Sequence, residues 1–151
     1  MELKTRDLGV IEVKKEDIVK FPDGIPGFLE EKEFVYLPLK GESPFIIMQS
    51  VNTKDLAFVT IEPGNYIQNY QFEISEQTQE KLKIEDLNDV TVFNIVTIKD
   101  DIKKATINLA APLVVNLHEN LGKQIILDEN KFPVHQQLFN QNEQKTEKVV
   151  E

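Results

Sequence analysis

Cysteine is absent from this chain of 151 residues, which excludes disulfides, thiolate nucleophiles and sulfur-ligated metal sites together. That composition fits a protein of the reducing cytosol. Histidine is scarce as well: His118 and His135 are the only two, and neither has a second histidine at the short spacing that a metal site on one strand or helix turn requires. Apolar residues come in short pieces such as Leu113-Val114-Val115, too brief to cross a bilayer, and no apolar stretch behind basic residues opens the chain. A soluble, cytoplasmic protein that does not engage membranes is the expectation. Basic residues are outnumbered, 17 Lys and Arg against 26 Asp and Glu, for a formal net charge of -9. Such a field repels a phosphate backbone and argues against direct nucleic-acid binding. It attracts a basic protein, and it also serves solubility.

Signatures of catalysis are missing in the same way. No G-x-G-x-x-G, P-loop or G-x-S-x-G pattern occurs, and Ser43, Ser50 and Ser75 have no local context that would activate a nucleophile. Asp100-Asp101 are adjacent carboxylates between two strand-like runs, a turn-forming arrangement rather than an acid/base pair flanking a substrate. Glu30-Glu31-Lys32-Glu33 reads as a solvated charge run. The chain is therefore expected to be a non-enzyme with no cofactor and no metal.

What is present is enough apolar material, 40% of residues, to build one ordinary domain with a real core. Leu3 and Thr5, then Ile11 and Val13, alternate about Arg6-Asp7-Leu8-Gly9 and predict a β-hairpin. Strand-like runs follow at Ile18 to Phe21, Phe34 to Leu37, Phe45 to Met48 and Leu56 to Ile61, the last stopped by Glu62-Pro63-Gly64-Asn65. One short helix is predicted from Ser75, a capping residue, to Leu82 and Ile84, with Glu76 and Glu80 in its first turns. Val90 to Ile98 is a long strand paired in a hairpin with Ala105 to Leu109. Pro112 cannot donate in a central rung, so the chain should bend or change sheet at Ala110-Ala111-Pro112. Leu113 to Asn116 and Gln124 to Leu127 complete the strands, around a loop holding Asn120-Leu121-Gly122. The fold class is all-β: a small antiparallel β-barrel-like domain with one short helix, over residues 1–139. Residues 140–151 are Gln, Asn, Glu and Lys with only Val149 and Val150 apolar, and are expected to form a disordered tail.

Phe21-Pro22-Asp23-Gly24-Ile25-Pro26-Gly27-Phe28 sets two prolines and two glycines between aromatic anchors, so it must turn sharply. Together with Asn108-Leu109-Ala110-Ala111-Pro112-Leu113-Val114-Val115-Asn116, Pro44-Phe45, Gln49-Ser50 and Gln124-Ile125-Ile126-Leu127, it resembles the flagellar assembly factor FliW family over Met1 to Phe139. The resemblance implies a barrel-like fold and two alternative protein partners. These are flagellin and CsrA, a small basic RNA-binding repressor of flagellin translation. Surplus flagellin would occupy the factor, release CsrA and stop flagellin synthesis; an acidic surface would silence CsrA either by imitating RNA over its RNA site or by attaching elsewhere, and the resemblance leans toward attachment outside that site. The factor is expected to be a monomer when unbound.

Candidate partner-binding residues are Phe21, Gly24, Ile25, Pro26, Gly27 and Phe28 of the Pro/Gly loop, together with Gln49, Asn108, Pro112 and Asn116. Phe21, Ile25 and Phe28 read either as anchors held partly exposed on a rigid loop or as plugs of a barrel end. The amides of Gln49, Asn108, Asn116 and Gln124 lie within apolar stretches, suiting either recognition or hydrogen bonds to bent backbone. The alternative function is a small-ligand or carbohydrate-binding barrel, for which a deep cavity rimmed by Tyr66, Tyr70 and Phe72 is the expected sign.

Overall fold

Alternating apolar residues and a left-handed glycine start the chain as a hairpin. Strands β1 (Glu2–Lys4) and β2 (Val10–Glu12) pair with Leu3 opposite Ile11. Gly9, at φ +70°, lets its carbonyl accept from both Thr5 N–H and Thr5 Oγ1 at 2.8 and 2.7 Å. The computed structural model describes residues 1–139, so the expected polar tail at 140–151 lies outside the described residues.

The hairpin lies against a barrel built from β3 (Ile18–Lys20), β4 (Glu33–Pro38), β5 (Phe45–Ser50), β6 (Ala57–Ile61), β7 (Val90–Thr97), β9 (Leu113–Asn116) and β10 (Leu121–Gln124). The order round the ring is β7-β6-β5-β4-β3-β10-β9 and back to β7. Every neighbour is antiparallel except β3 and β10, which run parallel with Lys20 opposite Leu121. Period-two alternation sends Val19, Phe34, Met48, Phe93, Leu113 and Val115 inward, where they pack with Phe21 and Ile25 into one buried cluster. The lumen is thus filled by side chains, as in small barrels generally.

Strand β7 has more partners than one strand can hold side by side along its whole length. Its first half pairs with β9, and its end, Val96 and Thr97, pairs with β8 (Thr106–Ile107), which in turn pairs with β11 (Gln136–Gln137). Opposite Asn94 and Ile95 the other strand carries the extra residues Asn108 to Pro112 and bulges outward, which is the bend predicted at Ala110-Ala111-Pro112. Phe45, Ile61, Val96, Ile107, Leu109 and Leu138 form a second core beneath this flap.

The helix α1 (Glu76–Lys81) begins where predicted, with Ser75 Oγ accepting from Thr78 N–H at 3.1 Å. The last strand does not. β10 spans Leu121–Gln124 rather than Gln124 to Leu127, because Asn120 at φ +55° finishes the turn after β9 early. Backbone pairing still continues past the strand, with Ile125 N–H and Leu127 N–H donating to the carbonyls of Pro112 and Ala110 at 2.9 and 2.7 Å.

Candidate functional site

The connection from β3 to β4 folds back into the end of the barrel. Gly24 N–H donates to the Phe21 carbonyl at 2.8 Å, and Gly24 sits at φ +71° with the Leu29 carbonyl so close that a Cβ would lie 2.3 Å from it. Pro26 and Gly27, the latter at φ +90°, then occupy the centre of a tight turn closed by Phe28 N–H donating to the Ile25 carbonyl at 2.6 Å. Phe21 is wholly buried, edge-on to Phe34 with centroids 5.7 Å apart. Its ring lies over Gly122, where a Cβ would come within 2.6 Å. Ile25 is 2% exposed, so it plugs the lumen with Phe21 and is not a surface anchor. Phe28 differs: it is 44% exposed, resting edge-on against Phe58, and beside it Leu29 is 64% exposed. The loop therefore shows Pro26, Gly27, Phe28 and Leu29 on an anchored base.

Asp23 fastens the outer side of that base. Its carboxylate takes Lys123 Nζ at 2.9 Å and Lys81 Nζ at 3.2 Å, tying the loop to β10 and to α1. Hydrogen bonds from these two ammonium groups, Lys123 first, hold the Asp23 carboxyl below its ordinary pKa.

The amides within apolar stretches bind backbone. Gln49 is fully buried: its Oε1 accepts from Arg6 N–H at 2.9 Å, and its Nε2 donates to the Ser50 and Lys54 carbonyls at 3.0 and 2.9 Å, joining the N-terminal hairpin to the β5–β6 turn. Asn116 Nδ2 donates to the Leu82 carbonyl at 2.9 Å and thereby docks the end of α1. Asn108 Oδ1 accepts from Ala110 N–H at 3.0 Å and Gln124 Nε2 donates to the Ala111 carbonyl at 3.1 Å, both holding the bulge, in which Pro112 is buried. Asn94 and Tyr70 complete its support: Asn94 Nδ2 donates to the Asn108 carbonyl at 2.9 Å, and Tyr70 Oη to the Leu109 carbonyl at 2.7 Å. Sequence reading had singled out neither residue for this role. A polar Asn in the middle of the apolar run Val90 to Ile98 was the available signal.

No group of three or more potential metal-binding side chains is found among the described residues. The serines have structural partners: Ser43 Oγ accepts from Phe45 N–H, Ser50 Oγ donates to Glu31 Oε1 at 2.7 Å, and Ser75 caps α1. Glu31, read as part of a solvated run, thus orders the β5–β6 turn, where Thr53 Oγ1 also donates to it. Asp101 Oδ1 accepts from Lys103 N–H at 2.9 Å as a turn former. Tyr66, Tyr70 and Phe72 do not rim one deep cavity. Tyr66 and Tyr70 edge a cleft of about 330 Å³, and Tyr70 with Phe72 edges separate open grooves.

At the other end of the barrel, set by the β2–β3, β4–β5, β6–β7 and β9–β10 connections, the lumen opens into a groove of about 550 Å³. Tyr36 stacks on Phe93 there, with centroids 4.2 Å apart. The Tyr36 hydroxyl is buried without a hydrogen-bond partner, and burial pushes its pKa well up.

A closed barrel with side chains packed in its lumen, whose conspicuous amides and serines hold neighbouring backbone and side chains, defines the class of small β-barrel scaffolds. The family model described as FliW protein matches residues 2–138, and the chain belongs to the FliW family of flagellar assembly factors. Flagellar assembly factor FliW of Geobacillus thermodenitrificans (strain NG80-2) is 47% identical over 139 residues, covering 92% of this chain and 96% of the relative. That of Bacillus subtilis (strain 168) is 42% identical over 132 residues, covering 87% and 92%. A solved structure described as the crystal structure of the flagellar assembly factor FliW matches with a TM-score of 0.88 and 45% identity, over 93% of this chain and 99% of that one.

Proposed function

We propose that this flagellar assembly factor is a non-enzymatic two-partner switch that binds unassembled flagellin or CsrA, but not both at once. Surplus flagellin occupies the factor, CsrA is released to repress flagellin translation, and export of flagellin reverses the exchange. The protein acts in the cytoplasm, as a monomer when unbound. The observation that carries this reading is family membership along almost the whole barrel. Two features of the chain support a division of labour. The tip formed by Pro26, Gly27, Phe28 and Leu29 offers apolar side chains on a backbone already fixed, which lowers the entropy cost of gripping an amphipathic flagellin helix. The net charge of -9 favours encounter with a basic repressor.

The deciding experiment is a titration of the protein with flagellin to saturation, followed by addition of CsrA, with each complex read by calorimetry or native mass spectrometry. Exclusive occupancy is expected, and affinity for CsrA should fall as salt is raised. A ternary complex with undiminished affinity for both partners overturns the switch. Phe28→Ser should weaken flagellin binding while the chain keeps a cooperative thermal transition, lowered only by the loss of the edge-on contact with Phe58.

A further inference from the structure

We propose that the open mouth of the barrel is the docking cleft for a basic polypeptide segment that carries an apolar side chain between its cations. The groove of about 550 Å³ falls within the usual size of binding clefts, and Val19, Tyr36, Ile46 and Phe93 make its floor and wall apolar. Four carboxylates, Glu12, Glu16, Asp17 and Glu62, line it, with no Lys, Arg or His among the lining residues. The Glu12 carboxylate is taken by the Met1 ammonium and that of Asp17 by the Lys14 N–H, whereas the carboxylates of Glu16 and Glu62 have no hydrogen-bond or ion-pair partner among the described residues. Both are solvent-exposed. Leu117, 47% exposed at the edge, extends the apolar wall outward.

This pattern is specific in two respects. An apolar floor under uncompensated acids repels nucleic acid and anionic metabolites, yet rewards a ligand that brings hydrophobic bulk and separated positive charges together, which a peptide segment does. The other acidic groove, beside α1, has Glu76, Glu80, Glu85, Asp89 and Glu119 but intersperses Lys83 and His118, and its only apolar lining residue is Ile84. It offers charge without an anchor.

The inference rests on the switch reading above, in which the basic partner is CsrA, and places flagellin at the opposite end of the barrel. Its test measures binding of purified CsrA and flagellin to the full chain and to three variants. Glu16→Lys/Glu62→Lys should weaken CsrA by about tenfold or more and leave flagellin binding within about twofold. Glu80→Lys/Glu85→Lys makes the same change in net charge away from the mouth and should weaken CsrA by about twofold at most. Leu117→Asp adds negative charge yet should weaken CsrA, because it breaks the apolar wall. Equal losses from the two double reversals, or tighter or unchanged CsrA binding by Leu117→Asp, overturn the mouth while leaving the switch standing. Failure of the unaltered chain to bind CsrA overturns both. Thermal transitions of the variants, all at exposed positions, are expected to match that of the parent.

Discussion

The two ends of the barrel are both lined with aromatic rings, but only one is stoppered by the chain itself. At the β3–β4 end, two glycines at positive φ and two prolines turn the backbone sharply enough to deliver Phe21 and Ile25 into the lumen. At the other end the connection leading into β3 is Lys14-Lys15-Glu16-Asp17, too polar to enter, so Tyr36 and Phe93 remain at the floor of an open groove. The contrast shows that closure depends less on apolar content than on whether the connecting backbone can reverse within a few residues.

Four substitutions or conditions sharpen that contrast. Phe21→Ala should cost the most, about 3–5 kcal/mol, since it empties the stopper and leaves a cavity in the lumen. Chemical denaturation measures it, and a loss below about 1 kcal/mol would mean that the ring does not hold that end shut. Gly122→Ala should cost about 1–3 kcal/mol by forcing a methyl against the Phe21 ring. Pairing it with Phe21→Leu should recover part of the loss, and strict additivity in that double-mutant cycle would deny the contact. At the open end the sign reverses: Tyr36→Phe removes a buried hydroxyl that has no partner and should raise stability by about 1 kcal/mol. A drop in the transition midpoint would reveal a partner for that hydroxyl. The smallest effect is electrostatic. Because the folded Asp23 carboxyl titrates below its unfolded value of about 4, its contribution is fully present above that pH and is lost as pH falls through the lower folded value. The group is 45% exposed, so the amount is a few tenths of a kcal/mol at most. Asp23→Asn should make the acid limb of a stability–pH curve slightly shallower, and an identical limb would remove the clamp from consideration.

Local chemistry carried much of the fold into the sequence. The Ser75 cap, the Arg6-to-Gly9 turn and the proline at 112 each act within a few residues, and each marks its element correctly. The closing partnership of β3 with β10 was not legible, because nothing near Ile18 refers to Leu121. β11 was missed for a similar reason: Gln136 and Gln137 are weak strand formers that pair only because β8 presents a free edge. At the candidate site, the turn chemistry of Gly24 and Gly27 was readable, whereas the fate of Ile25 and Phe28 depended on which way each side chain faced a barrel not yet built. The mouth escaped notice altogether, since its residues come from six separate stretches of chain.

The parallel junction of β3 with β10 has a consequence for how the molecule opens. It is a seam of one paired position, Lys20 with Leu121, secured by the Lys20 N–H to Asn120 carbonyl bond at 2.9 Å, the Asn120 Nδ2 to Glu16 carbonyl bond at 2.6 Å and the Lys123–Asp23 pair. Joining segments so distant along the chain is entropically the costliest closure in the ring, and it is sewn with the fewest stitches. Unzipping there exposes two raw strand edges at once, so hydrogen exchange at the Lys20 amide reports when a ring becomes a sheet able to pair with its neighbours.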